Sequence, residues 1–254
     1  MSELSKGSSD QLGGSQPQPA ARSGLWPESE RLGGRGGAIR NLLRGLNTSP
    51  KVKRALDLAG ASIGLIISAL PIALLASVIR VVMGPPVLFR QERPGLKEKD
   101  FVLYKFRTMT DMPLESRKRP DDRTRLTALG EILRRTSLDE LPELLNVVKG
   151  DLSLVGPRPL LPQYVARYTP EQARRHEVKP GITGWAQVNG RNALAWEEKF
   201  AFDVWYVDNW TIGLDIKILW MTLRQVASRQ DITAEGHVTM PEFMGSDRTD
   251  GESG

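Results

Sequence analysis

One run dominates the hydrophobic pattern of the chain. Residues 58–79 are 22 consecutive uncharged positions, mostly Leu, Ile and Ala. As a straight helix rising about 1.5 Å per residue they reach about 33 Å, enough to cross a bilayer. Pro71 sits near the centre, where it removes a backbone hydrogen bond and kinks or breaks a helix. Both flanks are basic: Lys51, Lys53 and Arg54 before the run, Arg80, Arg90 and Arg93 after it. Cationic flanks favour the cytoplasmic side of a membrane. A helix bent at Pro71 that enters and leaves by one face satisfies both. A single span kinked at its proline is the alternative, and a buried core helix is the third.

Downstream, the pattern predicts a mixed α/β, helix-rich domain with no second long apolar run. Residues 87–89 and 101–106 read as short strands, and the turn signal Arg93-Pro94-Gly95 between them predicts a β-hairpin. Residues 108–123 are polar and carry Pro113 and Pro120, a loop; residues 126–135 read as a short helix. Leu141, Leu144, Leu145 and Val148 recur at helical spacing over 138–148. Ile216, Leu219, Trp220, Leu223 and Val226 do so over 216–226, with Lys217 and Arg224 on the other side. Both are amphipathic helices, and the second has the Trp and Arg content of a helix that lies in a membrane interface, although most such stripes pack on a core.

Residues 155–162 form a proline-stiffened corner, and 170–177 a short helix opening with Pro170. Residues 178–192, with three glycines, read as loop and short strand; 196–207 is a helix ended by a break at 209–211. Residues 1–40 are rich in Gly, Ser, Pro and Gln, and their apolar residues are too scattered to build a core. A disordered polar tail is therefore expected over 1–50, and a short one over 245–254. No apolar run lies near Met1, so no cleaved signal peptide is expected.

Composition narrows the chemistry. The absence of cysteine excludes disulfides and thiolate catalysis and fits a reducing compartment. With only His176 and His237, a histidine-rich metal site is not expected; a metal here would be a hard cation on carboxylate and phosphate oxygens, hence Mg²⁺. The net charge of +5 suits anionic lipid, nucleotide or nucleic acid equally. Few aromatics and no recognition-helix pattern argue against nucleic acid as a partner.

The candidate chemistry lies in residues 134–161, where Asp139 and Glu140 stand between Arg134-Arg135 and the corner Pro157-Arg158-Pro159. The plain structural explanation is a capping box, with Ser137 as N-cap and Glu140 reaching back. Pro142 argues against it, since it would be the fifth helical residue, and moves the expected helix start to Asp139. The free N–H groups of that turn would then suit a phosphate. Adjacent helical positions diverge by about 100°, so the two carboxylates are expected to hold unequal roles rather than share a proton. A carboxylate attacking a diphosphate meets repulsion of about 4 kcal/mol per charge pair at 4 Å and an effective dielectric of about 20. Lys105, Arg107, Arg134, Arg135, Arg158 and Arg191 are available to offset it. Arg158, with a proline on each side, is the one whose backbone is fixed, and guanidinium grips phosphate with two prongs.

These residues, with Tyr104-Lys105-Phe106-Arg107-Thr108-Met109 upstream and residues 179–192 downstream, resemble the bacterial sugar transferase family over about residues 51–244. The family's small monotopic members are phosphoglycosyl transferases that start glycan assembly on polyprenyl phosphate. The resemblance implies a re-entrant membrane helix over 51–83, broken near Pro71, and a catalytic domain over 84–244 on the cytoplasmic face of the bacterial inner membrane, with interfacial amphipathic helices. It implies a Mg²⁺-dependent two-step reaction. Asp139 would be the nucleophile on the β-phosphorus of a UDP-sugar and a ligand of Mg²⁺, and Glu140 would orient or move protons. Lys105, Arg134, Arg158, Arg191 and Gln187 carry over as substrate contacts, Arg134 towards the lipid phosphate and Arg158 towards the diphosphate. UDP-sugar, polyprenyl phosphate and membrane lipid are the implied partners, with downstream glycosyltransferases beyond them.

One departure concerns the bend, where close relatives often place Ser-Pro and this chain has Leu70-Pro71. Ser68 is expected to take part of the missing serine's role. Glu235-Gly236-His237-Val238-Thr239 resembles members that transfer diacetylated bacillosamine phosphate, so an N-acetylated amino sugar is expected. The competing class is a non-enzymatic, membrane-anchored scaffold that binds anionic partners.

Overall fold

A computed structural model describes residues 45, 47–110, 125–190, 194–228 and 242–245. The apolar run lies within helix α1 (Pro50–Val82), whose first residue is a proline, where a missing N–H costs nothing. A hairpin of β1 (Leu88–Pro94) and β2 (Asp100–Phe106) follows. Next come α2 (Ala128–Arg135), a 3₁₀ turn (Leu138–Glu140), α3 (Glu143–Lys149) and β3 (Ser153–Val155). Beyond the 3₁₀ segment Pro162–Arg167 lie α4 (Pro170–Ala173), β4 (Gly181–Thr183), α5 (Trp185–Val188), α6 (Trp196–Asn209) and α7 (Ile212–Ala227). The expected mixed, helix-rich architecture is therefore present, built around two small sheets: the antiparallel β1–β2 pair and the parallel β3–β4 pair.

The hairpin register sets Leu88 against Phe106 and Pro94 against Asp100. The expected turn at Arg93-Pro94-Gly95 lies one step too early. Arg93 and Pro94 end β1, and the turn runs through Leu96–Glu98, closed by a hydrogen bond from the Gly95 amide to the Lys99 carbonyl at 2.9 Å. An edge strand ends on a proline without losing a ladder donor, which is why the turn signal misplaced the boundary. Residues 178–192 also hold more than loop and strand, since Trp185–Val188 is a helical turn packed into the core.

Helix α1 is docked on the domain at both ends. Near its start, Gly60, Ala61 and Gly64 approach closely: a Cβ on Gly60 would stand 2.7 Å from Leu154, and one on Gly64 3.2 Å from Leu144. Ala61 joins a core of Leu103, Val147 and Leu152. Near its end, Ile79 packs with Phe106 and Leu133, supported by Ile72, Leu75 and Ala76. The basic flank read as membrane-facing is spent on the domain. Lys53 donates to the Val155 carbonyl and pairs with Asp215 at 2.6 Å, and Arg54 donates to the Val147 and Val148 carbonyls. Asp57, buried, accepts from the Ser153 hydroxyl and the Leu154 amide.

Between these ends the outer face of α1 is apolar and open, with Ile66, Ile67 and Leu70 all more than two-thirds exposed. Among the described residues α1 is the one helix long and apolar enough to cross a membrane. The helix carries through Pro71 as a single element, so the proline does not end it. Ser68 donates to the Gly64 carbonyl at 2.6 Å and not to Ile67, the carbonyl that Pro71 leaves without a partner four residues on. Its expected role at the bend is thereby corrected. Such back-bonding itself favours curvature.

On α7, Thr211 caps the first turn, while Asp215 and Ile218 face inward. The predicted stripe splits: Leu219 packs on the core, and Ile216, Trp220, Leu223 and Val226 stay exposed. The remaining core joins Val155, Trp185, Val188, Phe202, Tyr206 and Ile218 between the β3–β4 sheet and α5–α7. An aromatic cluster of Tyr164, Phe200 and Phe243 closes the far side.

Helix α2 meets the hairpin's end without room for a side chain. A Cβ on Gly130 would lie 2.0 Å from the Thr108 carbonyl oxygen. Gly130→Ala gains about 1 kcal/mol of helix propensity but meets backbone that must move, at about 1–3 kcal/mol or more. We expect a lower melting temperature for this variant, measured in detergent, together with loss of the Arg134–Thr108 contact.

Candidate active site

The candidate site is assembled where the α2–α3 connection crosses the end of the hairpin and the Pro-Arg-Pro corner. Helix α2 ends at Arg135 with Thr136 as its C-cap, and Ser137 adopts a left-handed conformation with φ 57°. That conformation is rare for a side chain with a Cβ and marks a turn held by its surroundings. The chain then makes the 3₁₀ turn bearing Asp139 and Glu140, passes Pro142, and starts α3 at Glu143.

Two expectations are corrected here. The helix does not begin at Asp139, because Pro142 can occupy its N-terminal edge but not its interior. Ser137 caps nothing, and Glu140 does not reach back to it. The short turn therefore presents no helix N-terminus to a phosphate.

Glu140 is instead gripped by two cations. Its Oε1 accepts from Lys105 Nζ at 2.7 Å and from Arg158 Nη2 at 2.6 Å. Burial raises the Glu140 carboxyl, but the charges and hydrogen bonds of Arg158 and Lys105 outweigh it and hold the group well below the usual carboxylate range. Glu140 in turn is the largest cause raising the Arg158 guanidinium above its ordinary value.

Asp139, one residue earlier, is buried at 8% exposure, and no side chain among the described residues bonds its carboxylate. Burial first, then the charge of Glu140, raises its pKa, while Lys105, Arg158 and Arg134 pull it down. The two carboxylates thus stand in unequal surroundings. One carboxylate is fixed by two cations, and its neighbour is uncommitted beside them.

The frame around them is rigid. Lys105 projects from β2, where its residue pairs with Phe89. Arg134 Nε donates to Thr108 Oγ1 at 3.1 Å, which keeps the guanidinium in the field of Asp139. The Arg158 carbonyl accepts from Arg175 Nη2 at 2.7 Å, and Arg175 is itself paired with buried Asp203 at 2.8 Å. Gly156 admits the corner against β4: a Cβ there would lie 2.3 Å from the Lys179 carbonyl.

Positive charge is in excess beside Arg158. Arg93 is lowered to about 10 and Lys199 to about 8, in each case by burial first and then by the charge of Arg158. Such a surplus suits an anion with several negative oxygens.

The other expected residues divide. Arg107 is no site cation; its buried guanidinium donates to the carbonyls of Met83, Pro85 and Met109 and ties α1's end to the hairpin. Gln187 donates to the Ile182 carbonyl at 3.4 Å, and its Oε1 is buried without a partner, so it makes no bond to the carboxylate group. Arg191 and residues 235–239 lie outside the described residues.

Glu143, Arg175 and Lys199 were not singled out from the sequence. Glu143 stands four residues after Asp139, a spacing that flags a shared face only when both lie in one helix. With a helix expected from Asp139 onward, that signal was present in the sequence. For a metal, among the described residues no cluster of three or more His, Cys, Asp or Glu is placed to hold an ion. Were a hard cation bound here, the Asp139 carboxylate would be the protein's donor, and substrate phosphate oxygens and water would complete the set.

The model of the family described as "Bacterial sugar transferase" matches residues 48–229, from just before α1 to just after α7. The "Uncharacterized sugar transferase EpsL" of Bacillus subtilis is 55% identical over 195 residues, covering 77% of this chain and 96% of the relative. The "Undecaprenyl-phosphate glucose phosphotransferase" of Komagataeibacter xylinus is 42% identical over 192 residues, 70% of this chain and 36% of its own length. The "Undecaprenyl-phosphate galactose phosphotransferase" of Salmonella typhimurium is 40% identical over 196 residues, 70% of this chain and 41% of its own. The chain thus spans nearly all of the first and less than half of the other two. Residues 48–229 hold the long apolar helix, the gripped glutamate and the free aspartate together, and the chain belongs to the bacterial sugar transferase family.

Proposed function

We propose that the protein is a phosphoglycosyl transferase, moving a sugar 1-phosphate from a UDP-sugar to polyprenyl phosphate with release of UMP. The observation that carries this reading is the free, buried Asp139 carboxylate beside a Glu140 whose charge is already taken by Lys105 and Arg158. Two of the relatives bear the names undecaprenyl-phosphate glucose phosphotransferase and undecaprenyl-phosphate galactose phosphotransferase, which supports this reading.

In the first step an Asp139 oxygen attacks the β-phosphorus, the bond from that phosphorus to the bridging oxygen breaks, and UMP leaves with the oxygen. A phosphosugar then stands on the aspartate as an acyl phosphate. In the second step an oxygen of the lipid phosphate attacks the same phosphorus, the bond to Asp139 breaks, and a polyprenyl diphosphosugar forms. Two displacements replace one difficult transfer. Arg158 and Arg134 offset the repulsion between carboxylate and phosphates, and Arg134 is assigned to the lipid phosphate. Glu140 orients Arg158 and Lys105. Held so far below the usual carboxylate range, it takes no proton at neutral pH, and a phosphate acceptor with a second pKa of about 6 needs little base assistance. Mg²⁺ is the implied cation; the Asp139 carboxylate would hold it, and it would supply charge neutralisation to the diphosphate.

The docking of both ends of α1 on one globular body supports a re-entrant arrangement at the cytoplasmic face of the inner membrane, with Ile66, Ile67 and Leu70 towards lipid. The exposed Trp220 stripe of α7 supports an interfacial role for that helix. An N-acetylated amino sugar is proposed on residues 235–239 alone, whereas the names above print glucose and galactose. Downstream glycosyltransferases would extend the lipid-linked product.

Membranes given a panel of UDP-glucose, UDP-galactose and N-acetylated UDP-amino sugars, with Mg²⁺ and polyprenyl phosphate, are expected to release UMP with one class preferred. Asp139→Asn is expected to lower release at least about a thousandfold, in line with loss of a covalent nucleophile; full activity in that variant overturns Asp139 as the nucleophile, and no UMP release by the wild type leaves the scaffold reading. Because the chain has no cysteine, single cysteines placed at Thr48 and Glu92 report topology cleanly. Both are expected to label from the cytoplasmic side, and labelling from opposite faces would overturn the re-entrant arrangement.

A further inference from the structure

Lys105 stands between two carboxylates, and the reaction as drawn uses only one. Its ammonium lies 2.7 Å from Glu140 Oε1 and 3.0 Å from Glu143 Oε1. Glu140 has Arg158 as a second partner, whereas Lys105 is the only ion-pair partner of Glu143 among the described residues. The Glu143 side chain is 3% exposed, so water cannot stabilise its charge. Its position is fixed from both sides. Pro142 precedes it, and α3 runs on into the core through Val147. A single positive charge therefore serves two acids, one facing the substrate side with Arg158 and one behind it.

We propose that Glu143 is a positioning residue of the transfer: it holds the Lys105 ammonium from behind and, by the charge it carries, sets how much of that ammonium's charge is left for Glu140 and the substrate phosphates. This inference rests on the phosphoglycosyl transferase reading of the site.

The groups that face Glu143 are Lys105 from β2, Arg93 from β1, Glu140 from the 3₁₀ turn and Arg158 from the Pro-Arg-Pro corner. Burial first, then the charge of Glu140, pushes the Glu143 carboxyl up to about 7, against the pull of Lys105 and Arg158. The acid therefore changes charge within the working range of an enzyme. Below that point it is neutral, and the ammonium is left to Glu140 and the phosphates. Above it, a second negative charge stands behind Lys105, and the potential offered to a diphosphate falls. The apparent value belongs to the Glu140–Glu143–Lys105 group as a whole.

The test compares wild type, Glu143→Gln and Glu143→Ala in the UMP-release assay from about pH 6 to about pH 8.5, the range that brackets the group's titration. In wild type, kcat/KM for the UDP-sugar is expected to fall several-fold through an alkaline limb centred near neutrality. The amide of Glu143→Gln keeps an acceptor for Lys105 but cannot ionise, so the limb is expected to flatten. Glu143→Ala removes the acceptor and is expected to lose about tenfold or more at every pH, mainly in KM, as substrate phosphates meet an unheld lysine. A wild-type limb unchanged in Glu143→Gln, or wild-type kinetics in Glu143→Ala, overturns the proposal.

Thermal unfolding gives a second readout that does not need activity. A carboxyl whose pKa is raised on folding binds more protons folded than unfolded, so its cost to stability is absent below the ordinary carboxylate range and complete above about 7. The melting temperature of Glu143→Gln relative to wild type is expected to rise between about pH 5 and about pH 8. A constant difference counts against the inference. Wild type and Asp139→Asn in the same series separate the two claims: no UMP release by wild type, or undiminished release by Asp139→Asn, defeats the reading of the site on which the inference rests, while failure of the Glu143 arms alone leaves it standing.

Discussion

Glu140 is the joint of the site. Its single oxygen Oε1 receives Lys105 from the hairpin and Arg158 from the Pro-Arg-Pro corner, at 2.7 and 2.6 Å. Two segments apart in sequence are thereby pinned to the turn that carries Asp139. The consequence is chemical as well as structural. With the neighbouring acid neutralised by two cations, Asp139 needs no partner of its own and is left free, buried, and beside positive charge. With the two surroundings exchanged, the proposed nucleophile would be bound to two cations.

This joint depends on backbone that cannot shift. Gly130 lets α2 press on the Thr108 carbonyl, and Gly156 lets the corner press on the Lys179 carbonyl. Arg175, paired with Asp203 in the interior, holds the Arg158 carbonyl from beneath. Polar groups this deep contribute less to net stability than to specifying one arrangement. Helix α1 belongs to the same scheme. Through Lys53, Arg54 and Asp57 it is bound to β3 and α3, and through Ile79 to the end of the hairpin. The apolar face it leaves open is therefore held at a fixed distance from the carboxylates, as a reaction between a soluble nucleotide and a lipid phosphate requires.

Much of this was legible in the sequence, for reasons that differ by element. The long apolar run, the hairpin and the two C-terminal helices follow from periodicity alone. The pairing of acid and base around Asp139 follows from residue type and from the resemblance of three motifs in order. What escaped was set by tertiary context. Lys53 and Arg54 look like membrane flanks because their carbonyl partners lie 93 to 102 residues away. Ser137-Leu138-Asp139-Glu140 fits a capping box, yet Lys105 and Arg158 offer Glu140 charged partners that a backbone amide cannot match. Glu143 stands four residues after Asp139, a legible spacing, but its ion pair with Lys105 joins α3 to the hairpin and is set by tertiary contact. Ser68 turned back to Gly64, its own preceding turn, because a serine in a helix finds that carbonyl first.

The central claim is that the phosphosugar rests on Asp139 while Glu140 stays bound to its two cations. Incubating the protein with the preferred UDP-sugar and Mg²⁺ but no lipid acceptor isolates that step. The account predicts a burst of UMP stoichiometric with enzyme, and a peptide containing Asp139 heavier by one phosphosugar in the mass spectrum. Acceptor-dependent turnover with neither burst nor adduct would show direct transfer between the two substrates and would contradict it.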